Sequence, residues 1–345
     1  MIWLTWRQFR LSAFPVLAVV VAAAVALAIT GPQLADLFTT AGDDFFDRLA
    51  LEDTKTALFA VGIALGFAVP AVVGVFWGAP LVARELEAGT HRLVWNQSIT
   101  RTRWLSTKLA ITGLGAAAAA LIGLAMTWWS LPLDDAVARG LTDRGPLSMP
   151  RIWPDLFGAR GLFPLGMTLF ALAIGVAWGM VVRRTVAAMA LTLVTVVAIQ
   201  IAMPVLVQSY LLTPERLTTE ITNENLRGLS MSGEPGAADP EIGHIEVAID
   251  RPGSWITRNE TVGPDGQAVE FLPAWAEACA PGPGQGSSEA SDACFARLAD
   301  AGYRQQVDYL PASRYWTLQG IETAILLALA AGAVGFCFWR IRRDF

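Results

Sequence analysis

TALFAVGIALGFAVPAVVGVFWGAPLVA, residues 56–83, runs for 28 residues without one charged side chain. A helix of roughly 20 apolar residues crosses the ~30 Å hydrocarbon core of a bilayer, so this stretch is long enough to span. RELEAGTHRLVWNQSITRTRWLSTKLA, residues 84–110, follows at once and is crowded with basic and polar side chains. A further charge-free run, 109–133, begins where it ends. Working outward, similar runs cover 11–35, 161–182, 185–214 and 323–339, the last reaching back to about Trp316 if Glu322 is admitted. Six spans are therefore expected. Backbone groups in lipid must bond within their own segment, so each is a helix. Composition agrees: 54% of the chain is hydrophobic and 16% charged, against roughly 25% charged in a soluble domain.

The first run also has the layout of a signal peptide, with Arg7 and Arg10 ahead of an apolar core and small residues near Ala26-Leu27-Ala28. Its core exceeds the roughly 7–15 apolar residues of a signal segment, and an uncleaved first helix is expected.

The charges sort by side. Arg7 and Arg10 precede span 1. Arg84, Arg92, Arg101, Arg103 and Lys108 lie between spans 2 and 3, Arg183 and Arg184 between spans 4 and 5, and Arg340, Arg342 and Arg343 after span 6. Only Glu85, Glu87 and Asp344 oppose them there. The other face holds Asp36, Asp43, Asp44, Asp47, Glu52 and Asp53 in its first loop. Arginine and lysine mark the cytoplasmic side, which puts both termini in the cytoplasm.

By the same parity residues 212–317 lie outside. Ile245, Val247 and Ile249 alternate with His244, Glu246, Ala248 and Asp250, as in a half-buried strand. Pro264-Asp265-Gly266 is a turn signal between two further strands, and 294–301 suits a short helix. A small α/β cap is expected. Cys279 and Cys294 bracket a Pro/Gly/Ser-rich loop, and a disulfide is expected outside the cytoplasm; two free thiols, or a metal pair lacking other ligands, are the alternative. The fold class is thus an all-α polytopic membrane protein divided into 1–211, 212–317 and 318–345.

Several chemistries lack their residues. No Gly-Lys dipeptide occurs, so there is no G-x-x-x-x-G-K-[ST] phosphate loop. No H-E-x-x-H or G-x-S-x-G pattern is present. No catalytic residue, metal site or nucleic-acid partner is expected.

In the inner loop Leu86, Thr90, Leu93, Val94, Ile99, Trp104 and Leu105 line one side of broken amphipathic helices. An interfacial helix pinned by anionic lipid explains that pattern, but not the acidic start at Glu85-Leu86-Glu87 or the Gly89-Thr90 break. The succession Glu85, Glu87, Gly89, Thr90, then Ser98, Arg101 and Lys108, resembles the inner loop of ABC transporter permeases of the type-2 export family. Tyr309, Pro311, Ala312, Ser313, Arg314, Tyr315, Trp316, Gln319 and Glu322 look like the corresponding tail of an actinobacterial branch. The resemblance extends to six spans with both ends inside; the large outer segment departs from it, being larger than the short re-entrant helices of many relatives.

That resemblance implies a two-part machine. Residues 84–108 would act as a coupling helix on which a separate ABC ATPase docks, through Glu85, Glu87, Gly89, Thr90, His91, Arg92, Arg101, Arg103 and Lys108. ATP and Mg would be held by that ATPase, and no cofactor by this chain. A second permease chain, identical or a paralogue, would pair with it, and a hydrophobic or amphipathic substrate such as a drug, antibiotic or lipid would leave along the interface. Residues 1–10, mixing Ile2, Trp3, Leu4, Trp6 and Phe9 with Arg7, Gln8 and Arg10, resemble the amphipathic N-terminal helix of such permeases; the alternative is the first turns of span 1. Gln200, Gln208, Gln319 and Glu322 are the polar groups available to line a route or gate. Pairs of glycines, Gly62 and Gly66, Gly74 and Gly78, and Gly175 and Gly179, allow close helix approach, and Pro70 should kink span 2. A membrane-anchored sensor with a ligand-binding outer cap is the competing reading.

Overall fold

A computed structural model describes residues 2–89, 100–141, 145–232, 241–279 and 289–343. The chain forms two compact units, Met1–Leu211 with Arg314–Phe345, and Leu212–Ser313.

Among the described residues the first unit is a helical bundle with six helices long and apolar enough to cross a membrane: Phe9–Ala50, Asp53–Glu87, Arg101–Trp129, Phe163–Val182, Thr185–Gln208 and Ala312–Arg343. They are numbered here as spans 1 to 6. Span 4 is the hub. Of its most apolar window 67% is buried against other helices, compared with 17% for spans 1 and 5. Helices on the rim keep apolar side chains outward because lipid solvates them, as Leu11, Phe14, Ile29 and Val186 show.

Spans 2 and 4 meet backbone to backbone. A Cβ on Gly78 would lie 2.6 Å from the Leu172 carbonyl oxygen, and one on Gly175 would lie 2.6 Å from that of Gly74. Only glycine permits that approach. Span 2 is not a plain helix. Pro70 sits inside it, and residues Gly74–Gly78 form a π-helical turn before the helix resumes at Ala79. Proline and π turns are the usual causes of a bend. Gln200 of span 5 donates to the Phe67 carbonyl at 2.9 Å, in the turn that Pro70 loosens.

Residues 2–10 are not a separate amphipathic helix. Ile2–Ala41 is one helix with Pro15 and Pro32 inside it. No glycine or proline precedes Pro15 to end the first turns, so they run straight into span 1. In span 6 a short turn, Ala312–Arg314, leads into an α-helix from Tyr315 that carries Glu322 within it, close to the start near Trp316 expected when Glu322 is admitted.

The second unit holds an antiparallel sheet in the order β1 (Glu215–Thr219), β5 (Arg304–Leu310), β4 (Trp255–Val262), and a hairpin of β2 (Leu226–Ser232) with β3 (Glu241–Val247). Ile245, Val247, Phe295, Leu298 and Val307 form its core with the helix Glu289–Asp300. Alternation places Ile245 and Val247 inward on β3, while His244 and Glu246 stay outside. Gly266 has φ +75° in the turn after β4. Cys279 and Cys294 are joined by a disulfide, which ties the helix Glu289–Asp300 to the turn Ala274–Cys279.

Candidate functional site

The basic end of the bundle is built from three helix ends. Span 2 finishes at Glu87, with Ala88 donating to the Arg84 carbonyl at 3.1 Å and Gly89 to that of Leu86 at 3.3 Å. Gly89 takes φ +70°, the left-handed conformation that commonly closes a helix. Span 3 begins after Thr100, whose hydroxyl accepts from the Arg103 backbone N–H at 3.3 Å. Span 4 turns into span 5 through Arg183, at φ 57°, and Arg184.

Both acids of the motif bond to neighbouring helix ends. The Glu85 carboxylate meets the Lys108 ammonium at 2.5 Å. Lys108 also donates to the Leu81 carbonyl at 3.0 Å and sits 4.6 Å from the centre of the Trp104 ring. It is only 4% exposed. A buried cation is tolerated only when paired and hydrogen-bonded, and here the pair ties the end of span 2 to the start of span 3. Beneath it Val82, Trp104, Leu105, Val176, Met180, Cys337 and Ile341 form one apolar cluster drawn from spans 2, 3, 4 and 6.

Glu87 does the same for span 5. Its carboxylate accepts from the Thr185 backbone N–H at 2.9 Å and from the Thr185 hydroxyl at 2.7 Å. Thr185 is the first residue of that helix, and Arg184 ahead of it supplies no side-chain cap. Glu87 thus satisfies an orphan N–H from 98 residues away and sets a negative charge at the positive end of a helix. Glu85 is half-buried and Glu87 exposed, and beside them the end shows Arg84 and Arg103, both exposed, and Arg101, half-buried. Thr90, His91 and Arg92 lie outside the described residues.

The polar residues nominated for a route fall at the opposite end of the bundle. Gln319 is fully buried. Its carbonyl oxygen accepts from the Leu162 and Phe163 N–H groups, each at 2.8 Å, and its amide donates to the Phe157 and Arg160 carbonyls, each at 3.1 Å. It caps the start of span 4. Glu322, one turn further along span 6, is 1% exposed, and its Oε1 has no hydrogen-bond partner among the described residues. Gln208 is 1% exposed, and its Nε2 also lacks a partner among the described residues. Span 6 packs against the Met203–Gln208 turn that carries it. Gln200 stands apart on its Phe67 bond.

The roles of Thr185, Trp104 and Thr100 escaped sequence reasoning. A Thr opening an apolar run after Arg183-Arg184 is a helix-start signal for span 5, but nothing in the sequence matches it to Glu87. The buried pair of Arg160 with Asp134, two bonds of 3.1 and 2.6 Å, was equally hidden.

A family model described as ABC-2 membrane transporter related matches residues 17–208. The match runs from within span 1 to the last residue of span 5, and so includes the whole of 84–108. No curated protein and no solved structure matches the chain. The matched segment is more than half of the 345 residues, and the chain belongs to the ABC-2 membrane transporter related family, as the permease component of an ABC transporter.

Proposed function

We propose that this permease exports a hydrophobic or amphipathic substrate, a drug, antibiotic or lipid, using work delivered by a separate ABC ATPase at the basic end of spans 2 and 3. Family membership implies such an ATPase partner. The observation that carries the reading is the locking of Glu85 to Lys108 and of Glu87 to Thr185. A push on the segment after Glu87 reaches spans 2, 3 and 5 together, because those ends are tied. Outward-facing arginines suit charge-assisted contacts to a protein partner. The chain itself is not an enzyme on this reading, and ATP and Mg sit on the partner.

Both termini and the 84–108 segment are cytoplasmic, supported by the arginine bias of that side. The disulfide-bearing sheet unit is extracellular, which suits an oxidising compartment. Two permease chains pair, and the substrate passes along their interface. Gln208 and Glu322 act as its gate, since each presents a buried polar atom with no internal partner. Gln200 and Gln319 hold the closed form by bonds inside the bundle.

The test is co-purification with the ATPase. Arg92→Glu with Arg103→Glu should leave the amount of folded permease unchanged while abolishing ATPase retention and export. Full retention of the ATPase by that variant would refute the coupling role.

A further inference from the structure

A cleft of about 640 Å³ opens between the first turns of span 1 and the end of span 2. Its wall is firm. Phe9 meets Trp77 edge to face at 4.8 Å, and the Trp77 indole donates to the Ser12 carbonyl at 3.1 Å. Four charged side chains line it: Arg7, Arg84, Glu85 and Lys108. Glu85 and Lys108 neutralise each other across 2.5 Å. Arg7 and Arg84, both exposed, leave the cleft with two uncompensated positive charges among its lining residues.

The cleft is also apolar on one flank. Leu11 and Phe76 line it and remain 78% and 54% exposed, and Phe14 continues the same apolar surface at 75%. Trp3 and Trp6, near Arg7 on the same helix, are exposed as well. Indoles and arginines favour the headgroup level of a bilayer, and bare Leu and Phe its hydrocarbon.

We propose that this cleft binds one anionic phospholipid, with its phosphate between the Arg7 and Arg84 guanidiniums and its acyl chains along Leu11, Phe14 and Phe76. Guanidinium forks match phosphate oxygens in charge and geometry. A free phosphate would use the two arginines but gain nothing from the apolar flank, so a lipid is the occupant that fits both halves. The bound lipid braces the start of span 1 against the π turn Gly74–Gly78, which supplies Phe76 and Trp77. The inference needs only that the chain is a membrane protein, and stands apart from ATPase coupling.

The full chain is reconstituted in nanodiscs of phosphatidylcholine with a minor share of phosphatidylglycerol, extracted, and its retained lipids are counted by native mass spectrometry. Wild type should retain phosphatidylglycerol selectively over phosphatidylcholine, and a large excess of soluble glycerol phosphate should not displace it. Arg7→Gln with Arg84→Gln should lower that retention by about ten-fold, as expected when charge-assisted bonds are lost. Arg10→Gln, an exposed arginine of the same helix outside the cleft, should retain lipid as wild type does and elute as the same monodisperse species as the double variant. Equal retention of the two lipids, unchanged retention in the double variant, or displacement by glycerol phosphate would overturn the proposal. So would a double variant that keeps the lipid but loses the ATPase, which would make the cleft a protein-docking surface.

Discussion

Lys108 illustrates how single side chains set the basic end. Its ammonium is held by the Glu85 carboxylate and the Leu81 carbonyl with almost no exposure to solvent. Removing one partner of a buried pair strands a charge, at a cost of about 3–5 kcal/mol, whereas replacing both by apolar residues is often close to neutral. Glu85→Ala should therefore lower the unfolding temperature and the monodisperse fraction of detergent-purified protein sharply. Glu85→Leu combined with Lys108→Met should recover most of that loss. Its export should stay reduced if the charges also serve the partner. If Glu85→Ala behaves as wild type, the pair is not a structural lock. Gln319 is a second such side chain. Its four bonds to the start of span 4 and the turn before it give it a capping duty that any role on a substrate route must share.

At the scale of elements, the contact between spans 2 and 4 rests on glycine. A side chain at Gly175 would collide with the Gly74 carbonyl oxygen and the Ala79 backbone nitrogen, at 2.6 and 2.8 Å. Gly175→Leu should reduce folded protein severely, because backbone on both sides cannot yield. At Gly113 in span 3, an added methyl group would meet nothing within 4 Å. Gly113→Ala should be neutral, or stabilising by up to about 1 kcal/mol through helix propensity. Equal tolerance at both sites, read by expression and thermal unfolding, would show that the helices are not in backbone contact. In the sheet unit, Arg216 of β1 holds Asp308 of β5 by two bonds of 2.7 and 3.0 Å. These bonds keep the Asp308 carboxyl below its usual range. An unfolded Asp titrates near ~3.9, so this pair contributes fully above that value and is lost as pH falls through the lower, folded one. Asp308→Asn should thus reduce hydrogen-exchange protection of β5 relative to wild type near neutral pH, with the difference closing in acid. A difference that persists in acid would contradict it.

Across the whole molecule, the spans could be read because lipid leaves no alternative to a helix for a long charge-free run, as at 56–83. A charge inside the window leaves two readings open for span 6, and the helix start at Tyr315 agrees with the one that admits Glu322 and reaches back to about Trp316. β3 was legible from its alternation. A strand was expected ahead of the 264–266 turn, where β4 lies; β1 and β2 escaped, since ERLTT and LRGLSMS mix polar residues on both faces or contain a glycine. At the basic end the residues were visible as a motif while their partners were not. Glu87 and Thr185 are 98 residues apart, and Gln319 and Leu162 are 157 apart, so only the folded bundle brings them together. Pro70 marked span 2 as an interrupted helix, and the π turn at Gly74–Gly78 lies one turn beyond it.

The central claim is that the basic end faces the cytoplasm and receives the ATPase. Arg103 is exposed at the start of span 3, while the native cysteines are either bonded to each other, Cys279 with Cys294, or buried, Cys337. A cysteine placed at Arg103 is therefore a clean target for a membrane-impermeant maleimide. The account predicts no labelling in intact cells, labelling in inverted membrane vesicles, and protection there when the ATPase is bound. Labelling of intact cells, or inverted vesicles labelled equally with and without the ATPase, would contradict it.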